Sequence, residues 1–296
     1  GPAATDRSYD MKILYISSGD HMDYQSDCLL IGLKELYGPE IVDVNGHPYL
    51  YESFPETAVP QLYGKGMTIA RVLPNDAVDR SDIAPKIESQ YFDLIVYGSI
   101  WRCQDYLDLV LSVYPCERVA FVDGEDEPYL HPLAGLPVPY FKRELMIWSR
   151  PGGGVESIGF AIPSHKTSFD TPKTRDLAIC DPRDRSTYIY DTEADYYHGY
   201  AESRYAVTVK KAGWDCMRHY EILANGCLPL FLDVGGCPPA TMTHFPKDAC
   251  LELLQRPLTP ETYVEYAPRF AEHTRRHLTT TALAKRFLMT LTPEAT

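Results

Sequence analysis

Short apolar, β-prone runs recur along this chain, each closed by small or polar residues and followed by a segment of helical character. Met11–Ser17 (MKILYIS) ends in Ser18-Gly19-Asp20-His21, and Tyr24–Tyr37 then carries apolar residues at Cys28, Leu29, Ile31, Leu33 and Leu36. Gly38-Pro39 closes that segment, as Gly and Pro close helices, and Ile41–Val44 resumes as a strand. Strand, polar turn, helix, strand is a βαβ unit, and such units build parallel sheets. The pattern returns at Phe92–Tyr97 with a helix around Asp105–Tyr114, and at Arg118–Val122, which runs into Asp123-Gly124-Glu125-Asp126-Glu127. Ser81–Gln90 reads as a short helix capped by Ser81, although Pro85 opposes regular geometry there. Residues 46–80, rich in Tyr, Pro and Gly, take no clear assignment.

A break in composition divides the chain. Pro151-Gly152-Gly153-Gly154 reads as a loop, and the polar, turn-rich Pro163–Arg175 as a linker. Beyond it the alternation resumes: Asp176–Cys180 as a strand, Glu193–Ser203 as a helix, Tyr205–Val209 as a strand, Asp215–Asn225 as a helix and Leu228–Asp233 as a strand. Pro229 opens that last strand, where a missing N–H is tolerated. Pro260–Thr290 is helical in character. The expected architecture is α/β, with two Rossmann-like domains at 11–162 and 176–290 facing a cleft, and a C-terminal helical tract. The 296 residues suffice for two such units. Gly1-Pro2 reads as a tag remnant, so residues 1–10 are set aside and the chain is treated as open to being one domain of a longer polypeptide.

Charge and cysteine use narrow the function. Lys+Arg 28 against Asp+Glu 41 gives −13, a field that repels phosphate backbones and disfavours nucleic acid as a partner. The eight cysteines show no CxxC spacing, which fits a reduced, cytoplasmic chain without a zinc cluster. No apolar run is long enough to span a membrane. GxSxG, GxxxxGK[ST], HExxH and GxGxxG are all absent, which weighs against α/β-hydrolases, P-loop kinases, zincins and nicotinamide enzymes.

The most informative stretch is Tyr205–Asp233 (YAVTVKKAGWDCMRHYEILANGCLPLFLD). A strand runs through Lys210-Lys211-Ala212-Gly213-Trp214 into a helix, with Asp215 placed as N-cap and Gly226 as the C-terminal stop. A helix N-terminus attracts anions, the lysines add charge, and Gly213 permits close backbone approach. Arg218 and Glu221 share a helix face: Arg218 can bind phosphate through two N–H groups, and Glu221 can accept from vicinal hydroxyls such as those of a ribose. The alternative is an Arg–Glu pair that only staples the helix.

Trp214, Asp215, Arg218, Glu221, Ala224, Gly226 and Pro229 resemble the pattern W-(D/S)-x-x-R-x-x-E-x-x-A-x-G-x-x-P of GT-B glycosyltransferases, in particular the exostosin-like and CgeB-like groups. The resemblance implies a metal-independent transfer of a hexosyl, deoxyhexosyl or pentosyl group from a nucleotide-diphosphate sugar to a glycan or glycoconjugate hydroxyl, with no further cofactor. It implies Glu221 on the ribose or sugar, and Arg218 and Lys211 near the diphosphate, beside Gly213 and Trp214. Tyr140–Leu145 (YFKREL) is similar to an FKRE-type segment of the CgeB-like group, which would bring Lys142 or Arg143 to the donor phosphates; alternatively both pair with the acidic cluster. Asp20 and His21 follow the first strand, where some GT-B families carry a basic His, and either is a candidate base. Otherwise they cap the following helix. Asp123 and Glu125 are further candidates for the base or for holding an acceptor sugar, against the reading of a solvated acidic turn. Two other functions stay open: a non-catalytic nucleotide- or carbohydrate-binding domain, and a glycosyltransferase acting on DNA bases, which the net charge opposes.

Overall fold

The computed structural model describes residues 11–146 and 154–292. The Gly1-Pro2 start and most of the Pro151–Gly154 loop lie outside the described residues. The first sheet contains β1 (Ile13–Ile16), β2 (Ile41–Asp43), β3 (Leu94–Tyr97), β4 (Val119–Asp123), β5 (Tyr140–Lys142) and β6 (Val155–Ser157), in the order β2-β1-β3-β4-β5-β6. All pairings are parallel.

The continuous apolar runs are explained by burial on both faces. Ile13 and Tyr15 of β1 and Val96 of β3 face α1 (Tyr24–Tyr37), while Leu14, Ile16, Ile95 and Phe121 face α2 (Ile83–Glu88) and α3 (Leu107–Val113). β5 and β6 were not foreseen. Each has three residues, and β5 carries Lys142, whose charge masks the strand signal. Asp82, not Ser81, is the N-cap of α2, in a left-handed conformation. Pro85 falls in the first turn of α2, where amides have no partner within the helix, so its missing N–H costs little.

The second sheet is β7 (Arg175–Leu177), β8 (Ser203–Thr208) and β9 (Leu228–Phe231), parallel and in that order. β8 begins at Ser203, so the helix expected to Ser203 stops at Ala201 as α4 (Glu193–Ala201). Pro229 is the second residue of β9 and pairs with Ala206; β9 lies at the sheet edge, which leaves one side free of ladder bonds. α5 (Met217–Ala224) and α6 (Lys247–Leu253) follow.

The C-terminal tract is two helices, α7 (Pro260–His277) and α8 (Thr280–Leu291), broken at Leu278-Thr279. α8 leaves the second sheet and lies on α1. A Cβ on Gly32 of α1 would stand 2.1 Å from the Thr280 carbonyl oxygen, so the helices meet where only glycine fits. Glu35 of α1 accepts from the hydroxyls of Thr280 and Thr281, and Phe141 of β5 meets Phe287 at 4.6 Å between ring centroids. The first unit thus includes a helix from the far end of the chain, and one hydrophobic cluster runs from Ile13 and Leu33 through Phe287 to Leu230 and Phe270.

Candidate functional site

β1 has β2 on one side and β3 on the other, so the connections leaving β1 and β3 diverge and open a crevice at their C-terminal ends. A cavity of about 870 Å³ lies there, walled by the loops after β1, β3 and β4 and by the start of α5 from the second unit. Tyr24, Tyr63, Phe160, Tyr188 and Tyr196 give it an aromatic side.

His21 lines this cavity. Its Nδ1 is 2.6 Å from Asp20 Oδ1, and its Nε2 is 3.3 Å from Arg102 Nη1. That geometry fits the neutral ring with the proton on Nδ1, donating to Asp20, and Nε2 accepting from Arg102. The hydrogen bond to His21 holds the exposed Asp20 carboxyl below its ordinary range. Neither residue caps the next helix: Asp23 does, accepting from the Ser26 amide at 3.2 Å. Arg102, which sequence reasoning missed, joins the crevice together. Its Nε and Nη2 donate to both oxygens of Glu125 at 2.7 and 3.3 Å, and Asp23 is 3.7 Å away. A lone cation five residues past a strand end has no signature of its own.

The acidic run after β4 splits by partner rather than forming one site. Asp123 is buried and accepts from Lys142 Nζ at 3.1 Å, Trp101 Nε1 at 3.0 Å, the Glu125 amide at 3.1 Å and the Tyr140 hydroxyl. With four donors on two oxygens, it has little capacity left to hold an acceptor sugar. Lys142, also buried, spends its ammonium on Asp123 and the Glu125 carbonyl and does not line the cavity, against the expectation that it would face a ligand there. Arg143 borders the cavity but is 2% exposed and committed: Nε to the Gly124 carbonyl, Nη1 to Glu144 and the Asp215 carbonyl, and Nη2 to Asp126. Burial opposes its charge, and Asp215, Glu144 and Asp126 outweigh that and raise its pKa. Of the two readings of this segment, pairing with the acidic cluster is the one the geometry matches.

In the second unit, Asp215 is not the N-cap of α5. Cys216 holds that position without a side-chain cap bond. Asp215 is instead buried between the units, accepting from the Phe160 amide and the Tyr220 hydroxyl, both at 2.7 Å. Burial lifts its carboxyl to about 6, against the pull of Arg143. Gly213 approaches the ionic cluster closely: a Cβ there would be 2.3 Å from Glu144 Oε1 and 2.9 Å from Arg143 Nη1. Trp214 turns away from the cavity, over Gly236 and 5.2 Å from Lys210 Nζ.

Lys211, Arg218 and Glu221 all line the cavity. Lys211 Nζ donates to the Pro182 carbonyl at 2.7 Å. Arg218 Nη2 is 3.3 Å from the Tyr188 hydroxyl, while its Nη1 is out of solvent contact with no hydrogen-bond partner among the described residues. Arg218 and Glu221 do not pair, so the helix-staple alternative falls away. Glu221 accepts from Thr68 Oγ1 at 2.8 Å and the Tyr196 hydroxyl at 2.6 Å, and burial pushes its carboxyl above the ordinary value against those bonds and Arg218. Thr68 arrives from the segment between β2 and α2, the stretch that sequence left unassigned. Lys65 of the same segment donates to Asp191 at 2.7 Å, fastening it across the cavity.

Among the described residues no helix is long and apolar enough to cross a membrane, and all eight cysteines are unpaired. No family model matches the chain, and no curated protein matches it.

Proposed function

We propose that this protein is a glycosyltransferase of GT-B type that moves a sugar from a nucleotide-diphosphate sugar to a glycan or glycoconjugate hydroxyl, acting without a resident metal in a reducing compartment. The observation that carries the reading is Arg218, which lines a cavity between two parallel sheets with no carboxylate partner and with its buried Nη1 unbonded among the described residues. A buried donor left unmade is costly, and a phosphate oxygen would satisfy it with a charge-assisted bond. Lys211 and the uncapped first turn of α5 add positive potential beside it. Glu221, held by Thr68 and Tyr196, supplies acceptors for ribose or sugar hydroxyls. On this reading His21, oriented by Asp20, is the base for the acceptor hydroxyl, and developing charge on the diphosphate is met by Arg218 and Lys211.

A second reading, a binding module without catalysis, is favoured by one feature: Arg102 sits on His21 Nε2, the atom a base would use. A thermal-shift screen of UDP, GDP, CDP and their sugars tests both. A nucleotide at 100 times its Kd stabilises by about 2.7 kcal/mol, and Arg218→Ala should remove that shift. If no nucleotide shifts the wild type, or Arg218→Ala keeps the full shift, the nucleotide site is wrong. Binding without transfer or hydrolysis across the donor panel leaves the binding module.

A further inference from the structure

The corner where α7 meets α8 gathers positive charge that the rest of the chain would be expected to neutralise. A pocket of about 790 Å³ lies between the last turn of α7, the first half of α8 and the linker near Ser168, apart from the cavity described above. Arg275, Arg276, Lys285 and Arg286 line it. None of the four forms an ion pair among the described residues: Arg275 lies over the Phe169 ring at 4.3 Å, and Arg286 Nη1 donates to the His277 carbonyl at 2.6 Å.

This is unusual in a chain with 41 acids for 28 lysines and arginines. Elsewhere some desolvated cations have carboxylates, as Lys34 has Asp43 and Asp76, Lys142 has Asp123 and Lys166 has Glu193, while Lys173 and Arg218 stand singly without one among the described residues; what sets this corner apart is four unpaired cations in one concavity. Asp170 is the carboxylate among the lining residues; Glu272, one turn before Arg275 and Arg276 on α7, forms no ion pair with them among the described residues, and Glu35 is taken by Thr280 and Thr281. Arg286 is half-buried without an anion, and its pKa is held below the usual value by that burial. Like charges gathered in one concavity repel, and a multiply charged anion relieves that repulsion and compensates the partial burial of Arg286.

We infer that the α7–α8 corner is a binding site for a ligand carrying at least two phosphoryl groups, held by Arg275, Arg276, Lys285 and Arg286. Guanidinium forks match phosphate oxygens through paired N–H groups, and the pocket volume suits a single small ligand or headgroup. A nucleic-acid duplex fits less well, because the basic surface is one pocket rather than a stripe and the net charge of −13 opposes a polyanion. The phosphoryl groups can belong to a soluble compound or to a lipid headgroup.

The test uses the whole chain with inorganic tripolyphosphate, measured by calorimetry, and with phosphatidylcholine vesicles containing phosphatidic acid, measured by co-sedimentation. The paired charge reversal Arg276→Glu/Lys285→Glu changes two exposed side chains that make no ion pair. Arg275→Gln/Arg276→Gln is the milder second variant should the first fold poorly. The expected result is salt-sensitive binding of one probe that falls about tenfold or more in these variants and is unchanged in Arg218→Ala. Binding of tripolyphosphate points to a soluble ligand, and binding of vesicles alone to a headgroup. Failure of both probes to bind the wild type, or equal binding by the charge-altered variants, overturns the inference. Loss of binding in Arg218→Ala but not in these variants also overturns it, because the probe then sits in the other cavity.

Discussion

Gly32→Ala tests how the C-terminal helix joins the two units. In the interior of an isolated helix, alanine is better than glycine by about 1 kcal/mol, so a local argument predicts a gain. The tertiary structure predicts the reverse. The new Cβ would lie 2.1 Å from the Thr280 carbonyl oxygen, 2.8 Å from its carbonyl carbon and 2.9 Å from Ala284 Cβ. Carbon and carbonyl oxygen rarely approach closer than about 3.3 Å, so α8 must retreat by about 1 Å. Its first turn has little freedom to do so, because the Thr280 amide donates to the Ile162 carbonyl at 2.9 Å and both threonine hydroxyls bind Glu35. Overpacking costs about 1–3 kcal/mol and each of the three strained hydrogen bonds about 1 more, which outweighs the propensity gain of about 1 and leaves a net loss of about 3–5 kcal/mol. Urea unfolding should show a lower midpoint at unchanged slope. Gly135→Ala is the control: nothing lies within 4 Å of its Cβ position, so it should stay within about 0.5 kcal/mol of the wild type. A Gly32→Ala protein as stable as the wild type would refute the close crossing of α1 and α8.

Three other perturbations follow from the buried polar groups. Lys142→Met should cost about 3–5 kcal/mol by stranding Asp123, and Lys142→Met/Asp123→Asn should recover most of it; nucleotide binding by the folded protein should be unchanged, since Lys142 is not at the cavity. The raised carboxyl of Asp215 stays protonated in the folded state at pH values where the unfolded chain has released its proton. Its contribution to stability is therefore greatest below about pH 4 and falls by at most about 3 kcal/mol as pH rises to and beyond 6. In Asp215→Asn that fall should vanish, so wild type minus variant, followed by urea unfolding, should decline between pH 4 and 7; a flat difference would contradict the buried acid. Thr68→Val removes one of two donors to Glu221 and should cost about 1–3 kcal/mol in thermal or urea unfolding.

What could be read from the sequence follows from what each signal encodes. The strands buried on both faces are unbroken apolar runs, so β1, β3, β4 and β8 appear within a residue or two of their bounds. β5 does not, because its lysine is buried against an aspartate more than a dozen residues away, and pairing at that distance leaves no periodicity. Helical character in α7 and α8 is legible; that α8 returns to α1 is not, since a helix pattern says which face is apolar but not which surface covers it. At the site, Arg218 and Glu221 were readable from their spacing on one helix. The acidic run after β4 was readable only as a cluster: the division into Asp123 with Lys142, Glu125 with Arg102 and Asp126 with Arg143 depends on three-dimensional neighbours. Thr68 carries no mark at all in a segment of turns.

The disposition of these ion pairs gives the cavity two unlike walls. On the first unit, Arg102 is matched by Glu125 and Asp23, and Arg143 by Asp126 and Glu144, so that wall offers charged groups already compensated and a His21–Asp20 pair. On the second unit, Lys211 and Arg218 face the cavity with no carboxylate partner among the described residues, and Glu221 is held by hydroxyls rather than by a cation. An anionic group therefore has a reason to settle on the α5 side and none to settle opposite. Uncharged hydroxyls are better suited to the β1–β4 side, where acceptors are plentiful. Arg143 fixes the spacing between these walls, since its guanidinium bonds the Gly124 carbonyl of one unit and the Asp215 carbonyl of the other. Arg143, one of the two residues that the FKRE-type resemblance brought to the donor phosphates, thus acts as the rivet of the crevice. A two-substrate reading needs that asymmetry, because donor and acceptor must enter one cavity without competing for the same groups.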